Sequence, residues 1–546
     1  MRLGIPHLLF GLLVLLGTGN ACAATSIPFT VTMSEAVNVT GAPRIVLDVG
    51  GATRYATYAA GTGTASLTFT YAATAGDVDL DGIGIASTTL DLNGGAVTDL
   101  NGNPETNLTF TAPANMSSVF INYPSLYMDF TADSDGRYSL SGTVYNDLTS
   151  FLAASGGTFS RASVGTYFDS AGTLQTAASG APRFDYDPVT HTAKGVLIEE
   201  NRTNTIPNSS MSGASIGTLP TTWSFQNVAG VTASVVATGT ESGIPYIDVR
   251  FSGTPSATGT LAIFFSTASS ISASNGQTWA LSIYKKLVAG STANLLNTLI
   301  SNQIYSSSPT YLGGVGNLLI TPTSSSLSGQ RVSYSGTISN ASTAYIRPFF
   351  ATSVTNGQAI DITIRLGAPQ LELASFPTSF IATTNAAVTR LADTLTIPTG
   401  GWFNNSEGTM TTTSSLPYLG GAKYPGTMSF DNGTQANSIH MFISDASGDE
   451  KASEVFLGGV PQFSSFGTAY SAGSLLRQGL SYKTNDTIMS MDGVLGTLDT
   501  SVSLPTVTIL RIGLRRGGSD PLNGNIQKAK YYPLRVNSTQ LQLLTQ

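Results

Sequence analysis

Cysteine is almost absent: the 546-residue chain has one, Cys22, along with three histidines, three tryptophans and a charged fraction of 10%. Each scarcity excludes something. A single cysteine forms no intrachain disulfide, and zinc sites of the common types need more Cys and His than are here. The balance of 25 Lys and Arg against 32 Asp and Glu, net −7, makes no basic surface for nucleic acid. Few Lys and Glu leave little with which to build the polar face of an amphipathic helix. Past the N-terminus no stretch is apolar and long enough to read as a membrane span, and there is no glycine loop of the phosphate-binding kind.

The N-terminus reads as an export signal. "MRLGIPHLLFGLLVLLGTGNACAA" places Arg2 ahead of an apolar stretch from Leu8 to Leu16 and the small residues Ala21-Cys22-Ala23. Residues 1–23 are therefore expected to be a signal peptide, with Ala24 the mature N-terminus. Gly19 and Asn20 do not suit a lipoprotein signal ahead of Cys22. Cleavage removes the only cysteine, and an exported protein without disulfides points to a bacterial or phage source. The expected location is outside the cell or on its surface.

The 58 glycines and abundant Ser and Thr indicate strands and turns. Period-2 alternation puts Leu67, Phe69 and Tyr71 on one face, as it does Ile360, Ile362, Ile364 and Leu366, and Thr508, Leu510, Ile512 and Leu514. Asn101-Gly102 and Asp492-Gly493 are hairpin-turn signals. One helix is expected, in the tail "NSTQLQLLTQ", capped by Asn537 or Ser538. The fold class is all-β, with several β-sandwich domains in tandem.

Four segments follow the signal. Residues 24–114, with "FTVTMSEAVNVTGAPRIVLDVGG", "GTGTASLTFTY" and "DLNGN", resemble the SwmB-type bacterial Ig-like repeat, which implies a β-sandwich spacer. In residues 115–205, "FSRASVGTYFDSAGTLQTAASGAPRFDYDPVTHTAKGVLIEENRTN" resembles a module of bacteriophage tail-fibre and head-spike proteins. Residues 206–388, with "TWALSIYKKLVAG" and "GAPQLELASFPTSFI", resemble the jelly-roll domains of carbohydrate-binding modules. Residues 389–546, with "WFNNSEGTMTTTSS" and "LNGNIQKAKYYPLRVNSTQLQLLT", resemble concanavalin-like and laminin-G-like sandwiches. Segments 24–114 and 389–546 are each expected to fold alone.

The chemistry-bearing residues are few. "GVLIEENRTN" holds Glu199, Glu200 and Arg202, and the hairpin joining it to "RFDYD" brings Arg183, Asp185 and Asp187 close. Buried acids need partners, and Arg161 is also available, so these six residues are expected to form a structural ion-pair knot. A calcium site and catalysis are the alternatives, since Asp185 and Asp187 share a face at a separation that suits an inverting carboxylate pair. "DVDLDG" offers Asp77, Asp79 and Asp81 as half of a calcium loop, but Thr88 stands where such a loop ends in Glu, and a solvated acidic loop is the competing reading. Calcium is the one cofactor suggested. His191 and His440 are the only histidines of the mature chain, and no nucleophile-elbow motif accompanies them. Sugar-binding aromatics are sought at Trp223 and Trp402 and on a jelly-roll face at Tyr345 and Arg347, with core packing the competing role for both tryptophans. The expectation is a non-enzymatic recognition or attachment protein whose partners are glycans or cell-surface polysaccharide. The rivals are a structural phage or prophage fibre component, which would be a homotrimer, and a polysaccharide-degrading enzyme.

Overall fold

The structure is a computed structural model and describes residues 2–4, 26–112, 116–132, 137–419, 423–444 and 448–546. The apolar stretch of the expected signal peptide and Cys22 lie outside the described residues. The protein is all-β, with antiparallel sheets throughout. Among the described residues no helix is long and apolar enough to cross a membrane.

Residues 26–99 contribute to one antiparallel sheet. Its long strand Ser26–Thr40 pairs with Thr64–Ala72 along its first part and with Ala96–Asp99 along its second, with a register shift between Thr32 and Val37. Ile27, Phe29 and Val31 lie opposite Tyr71, Phe69 and Leu67, so the alternating faces seen in the sequence meet as cross-strand pairs in one core.

The middle of the chain is a jelly roll of two five-stranded sheets. One runs Ser224–Gln226, Gly259–Phe264, Tyr345–Val354, Leu295–Tyr305, Tyr311–Leu319. The other runs Val231–Glu241, Ile244–Gly253, Ile360–Leu373, Thr278–Gly290, Arg331–Thr337. Ile362, Ile364 and Leu366 face Phe251, Val249 and Ile247 across the second sheet, and all six lie in the shared core.

The C-terminal sandwich departs from the expected boundaries. Its central strand Gly524–Tyr532 pairs with Glu407–Ser415 on one side. On the other side two strands from far upstream lie end to end: Leu126–Asp129 against Lys528–Tyr531, and Ala193–Ile198 against Gly524–Ile526. In the facing sheet Thr158–Ser160 pairs with Thr394–Pro398. Leu126, Met128, Phe130, Phe151, Val196 and Ile198 share one core with Leu395, Met410, Leu480 and Leu510. Residues 115–205 are thus not a module of their own. They supply part of this sandwich, and the jelly roll is inserted between its two halves. The segment 389–546, expected to stand alone, lacks these partners.

The tail helix Ser538–Leu544 forms as expected, with the Asn537 side chain accepting from Gln540 N–H at 2.9 Å. A second helix, Leu148–Ser155, was not expected; Asp147 caps its start and Gly156, at φ 69°, ends it in the left-handed region.

Candidate functional site

The acidic end of "GVLIEENRTN" opens into a sealed ionic cluster. Arg183 Nη1 donates to Glu199 at 2.7 Å and to Ser379 Oγ at 2.8 Å, and its Nη2 pairs with Asp393. Arg161 Nη1 donates to the other Asp393 oxygen at 3.0 Å. Arg390 donates to Glu199 and to the Glu200 carbonyl. Ser379 N–H donates to Glu199 Oε1 at 2.7 Å. Arg161, Arg183 and Arg390 are at most 1% exposed, and Glu372, also buried, lies within electrostatic reach of Arg390. Burial alone would raise the Glu199 pKa, but Arg390, Arg183 and the Ser379 hydrogen bonds outweigh it and hold the carboxyl at about 2.

The cluster ties together the chain entering the jelly roll and the chain leaving it. Arg202–Asn204 pairs with Val388–Arg390, and Asp393 N–H donates to the Glu199 carbonyl at 2.9 Å. Charges this deeply buried are tolerated because each arginine meets a carboxylate, although Arg183 Nε and Arg390 Nε have no hydrogen-bond partner among the described residues.

The membership differs from the sequence expectation. The hairpin Phe184–Tyr186 with Ala193–Ile198 exists, and Arg183 and Glu199 belong to the knot. Asp185 does not: it accepts from Phe168 N–H at 2.9 Å and from Lys194 at 2.8 Å. Asp187 caps the turn after it, accepting from Val189 and Thr190 N–H at 2.9 and 2.7 Å. Glu200 points to the opposite face, as strand alternation requires, and pairs there with Arg202 and Lys423. Asp393, Arg390, Glu372 and Ser379 were missed. "VTRLAD", with Arg390 and Asp393 three apart, was the available signal, but nothing local says that it meets Glu199.

The acids of "DVDLDG" diverge. Asp77 accepts from Arg54 Nε at 2.7 Å, from Thr74 N–H at 2.7 Å and from the Tyr71 hydroxyl. Asp79 accepts from Gly50 and Gly82 N–H, both at 2.7 Å. Asp81 accepts from Gln540 Nε2 at 2.6 Å, and the same Gln540 accepts from Leu80 N–H at 2.8 Å. The three carboxylates meet separate protein partners, and among the described residues no group of three His, Cys, Asp or Glu side chains is placed to hold a metal. Nor is the loop simply solvated. It docks the first sheet on the tail helix, with Val78 packed against Ile488, Tyr532, Val536 and Leu541.

Neither tryptophan proposed for sugar stacking is open. Trp223 is 7% exposed, packs 4.9 Å from Phe265 and donates to the Pro207 carbonyl at 2.9 Å. Trp402 is 5% exposed among Phe403, Phe430 and Tyr531. Tyr345 and Arg347 are placed differently. Ile346, Phe350 and Val354 point into the jelly-roll core, so Tyr345, Arg347 and Phe349 face outward. Tyr345 lies opposite Tyr305 and Arg347 opposite Gln303, while Tyr305 lies opposite Tyr311 with ring centroids 6.0 Å apart.

This outer face retains unused hydrogen-bonding capacity. Tyr311 is 57% exposed, and Tyr345 and Phe349 are half-buried. The Tyr305 hydroxyl donates to Gln303 Oε1 at 2.6 Å, leaving Gln303 Nε2 without a partner among the described residues. Arg347 is held over the Phe264 ring at 3.7 Å by donating to Ser266 O and Ser224 Oγ, and its Nη1 is likewise unpaired among the described residues. Tyr305 and Tyr311 were missed, although they flank "SSSPT", a turn signal that sets them on paired strands.

Ser438, His440 and Glu454 line up, with His440 Nδ1 3.3 Å from Ser438 Oγ and Nε2 3.2 Å from Glu454. Ser438 and His440 are both fully buried, so this row meets no substrate. Burial pushes the His440 pKa down to about 4 against the opposing pull of Glu454. His191 lies exposed in the hairpin turn at φ 59°.

No protein-family model and no curated protein matches the chain. Among solved structures it is similar to the CBM40 of Ruminococcus gnavus IT-sialidase bound to alpha2,3 sialyllactose, at 16% identity over 26% of this chain and 84% of that one, TM-score 0.23. It is also similar to the CBM22-1-CBM22-2 tandem domain from Paenibacillus barcinonensis Xyn10C, at 12% identity over 58% and 94%, TM-score 0.20. A third likeness is to domains LG4-5 of the mouse laminin alpha1 chain, at 10% identity over 58% and 90%, TM-score 0.18. At scores this low the likenesses assign neither a family nor a ligand.

Proposed function

We propose that this is an exported or cell-surface recognition protein that binds glycans on the outer face of the jelly-roll sheet. One observation carries the reading: Tyr311, Tyr305, Tyr345 and Phe349 lie on the same face as Gln303 and Arg347, whose nitrogens have spare donor capacity. A sugar ring has apolar C–H faces that stack on aromatic rings and rim hydroxyls that take hydrogen bonds, and this face offers both.

A glycan-array screen of the full chain tests it. Glycan binding should be found, and Tyr311→Ala with Tyr345→Ala should remove it. Binding that survives the double substitution would move the site elsewhere, and release of reducing sugar would replace recognition with catalysis. The second reading, a phage or prophage fibre component, draws on the text of residues 159–204, which builds the clasp between two sandwiches. A trimer by sedimentation would favour it. Export is tested by the intact mass of protein recovered outside the cytoplasm, which should start at Ala24.

A further inference from the structure

Where the jelly roll meets the C-terminal sandwich, beside the ionic knot, the chain forms a partly open cavity of about 170 Å³. Its lining includes Tyr167, Tyr284, Tyr418, Phe376, Arg331 and Asn525. We propose that this cavity binds a single acidic sugar unit of hexuronate size, with Arg331 pairing its carboxylate.

Size comes first. A cavity of roughly 150 Å³ holds a benzene ring, so this one takes a pyranose ring whose substituents reach toward the opening. Apolar contact comes from Phe376 and Tyr418, stacked 10° from parallel with centroids 6.0 Å apart. The polar groups are unspent. Asn525 is 1% exposed, yet its Nδ2 has no hydrogen-bond partner among the described residues. A buried donor left in that state is costly, and the cavity is the space from which a partner can come. The hydroxyls of Tyr167, Tyr284 and Tyr418 also have no hydrogen bond among the described residues. Burial raises the Tyr284 pKa and keeps that hydroxyl a donor; Arg331, Tyr418 and Asp185 all lie within electrostatic reach of it, so these groups converge.

Charge decides the ligand class. Two acids line the cavity and both are already matched: Asp185 by Lys194 at 2.8 Å, and Glu199 by Arg183 and Arg390. Arg331 has no carboxylate partner among the described residues. It donates to Ser282 Oγ at 2.9 Å, and its Nε is unpaired. Of the four charged residues in the lining, Asp185, Glu199, Lys194 and Arg331, only Arg331 has no ion partner among the described residues. A neutral hexose would leave it so, whereas a hexuronate carboxylate would meet it with charge-assisted hydrogen bonds.

The test is titration of the full chain with D-glucuronate, D-galacturonate and D-glucose, followed by calorimetry and saturation-transfer NMR. A uronate should bind at least tenfold more tightly than glucose, and Arg331→Gln should erase that preference. Arg331→Lys keeps the charge and should keep part of the preference, which guards against misfolding of the first variant. Tyr311→Ala, on the outer jelly-roll face, should leave uronate binding unchanged, so this site and the proposed glycan face fail separately. Equal affinity for glucose and uronate, no uronate binding at millimolar concentration, or a preference that survives Arg331→Gln would each overturn the proposal.

Discussion

The ionic knot around Glu199 and the outer face around Tyr345 are both polar clusters held on strands, and they differ in what is left over. In the knot, Glu199 alone receives Arg183, Arg390 and two hydrogen bonds from Ser379, and Arg161, Arg183, Arg390 and Asp393 are almost wholly buried. On the outer face Tyr311 stands exposed, and Gln303 and Arg347 keep idle nitrogens. A cluster whose capacity is spent internally fixes structure and has nothing to offer a ligand. A cluster held in place but incompletely satisfied is ready to bind.

The largest effect should come from removing what the knot region supplies. Fragment 389–546 loses the strands beside Gly524–Tyr532 and the core residues Met128, Phe130, Phe151 and Ile198. It should be insoluble or unfolded, whereas 116–546 should show a cooperative melt. A cooperative melt of 389–546 alone would mean that the upstream strands are decoration. Within the intact chain, Asp393→Asn takes the carboxylate partner from Arg161 and one of two from Arg183 and should cost about 3–5 kcal/mol, measured by denaturant unfolding.

Acid should act on the buried groups in two steps. The folded His440 pKa of about 4 lies below its ordinary 6.5, so the unfolded chain takes up a proton first and stability falls as pH drops from 6.5 to 4. The folded Glu199 pKa of about 2 lies below 4.5, so its contribution is present above 4.5 and is lost between 4.5 and 2. Each step amounts to about 3 kcal/mol at most. His440→Gln should flatten the upper step and leave the lower one. The smallest stability effect belongs to the outer face: Tyr311→Ala removes an exposed ring and should change stability by no more than about 0.5 kcal/mol.

Local patterns were legible in the sequence. The faces of Leu67, Phe69 and Tyr71 and of Ile360 to Leu366, the 184–198 hairpin, the Asp492-Gly493 turn at φ 48° and 76°, and the Asn537 cap all stand as read. Each depends on residues a few positions apart. Helix Leu148–Ser155 carried its signals, Asp147 and Gly156, but is too short for periodicity to announce it. The partners of Glu199 could not be read. Asp393 is 194 positions away, and the register between such distant segments is set by packing of the whole sandwich. The same gap hid the upstream strands of the C-terminal sandwich. It also made Asp185 and Asp187 look like knot members, when a bulge after Asp185 and the turn at Asp187 lead them elsewhere.

The most direct measurement sets the two regions side by side: thermal unfolding and affinity for one array-identified glycan, in Asp393→Asn and in Tyr311→Ala with Tyr345→Ala. The knot variant should melt roughly 10 °C lower while its folded fraction binds as tightly as the parent chain. The tyrosine variant should melt with the parent and bind at least tenfold more weakly. A knot variant that melts normally but loses binding, or a tyrosine variant that binds normally, would contradict the division between a spent cluster that holds the fold and an unspent one that meets the ligand.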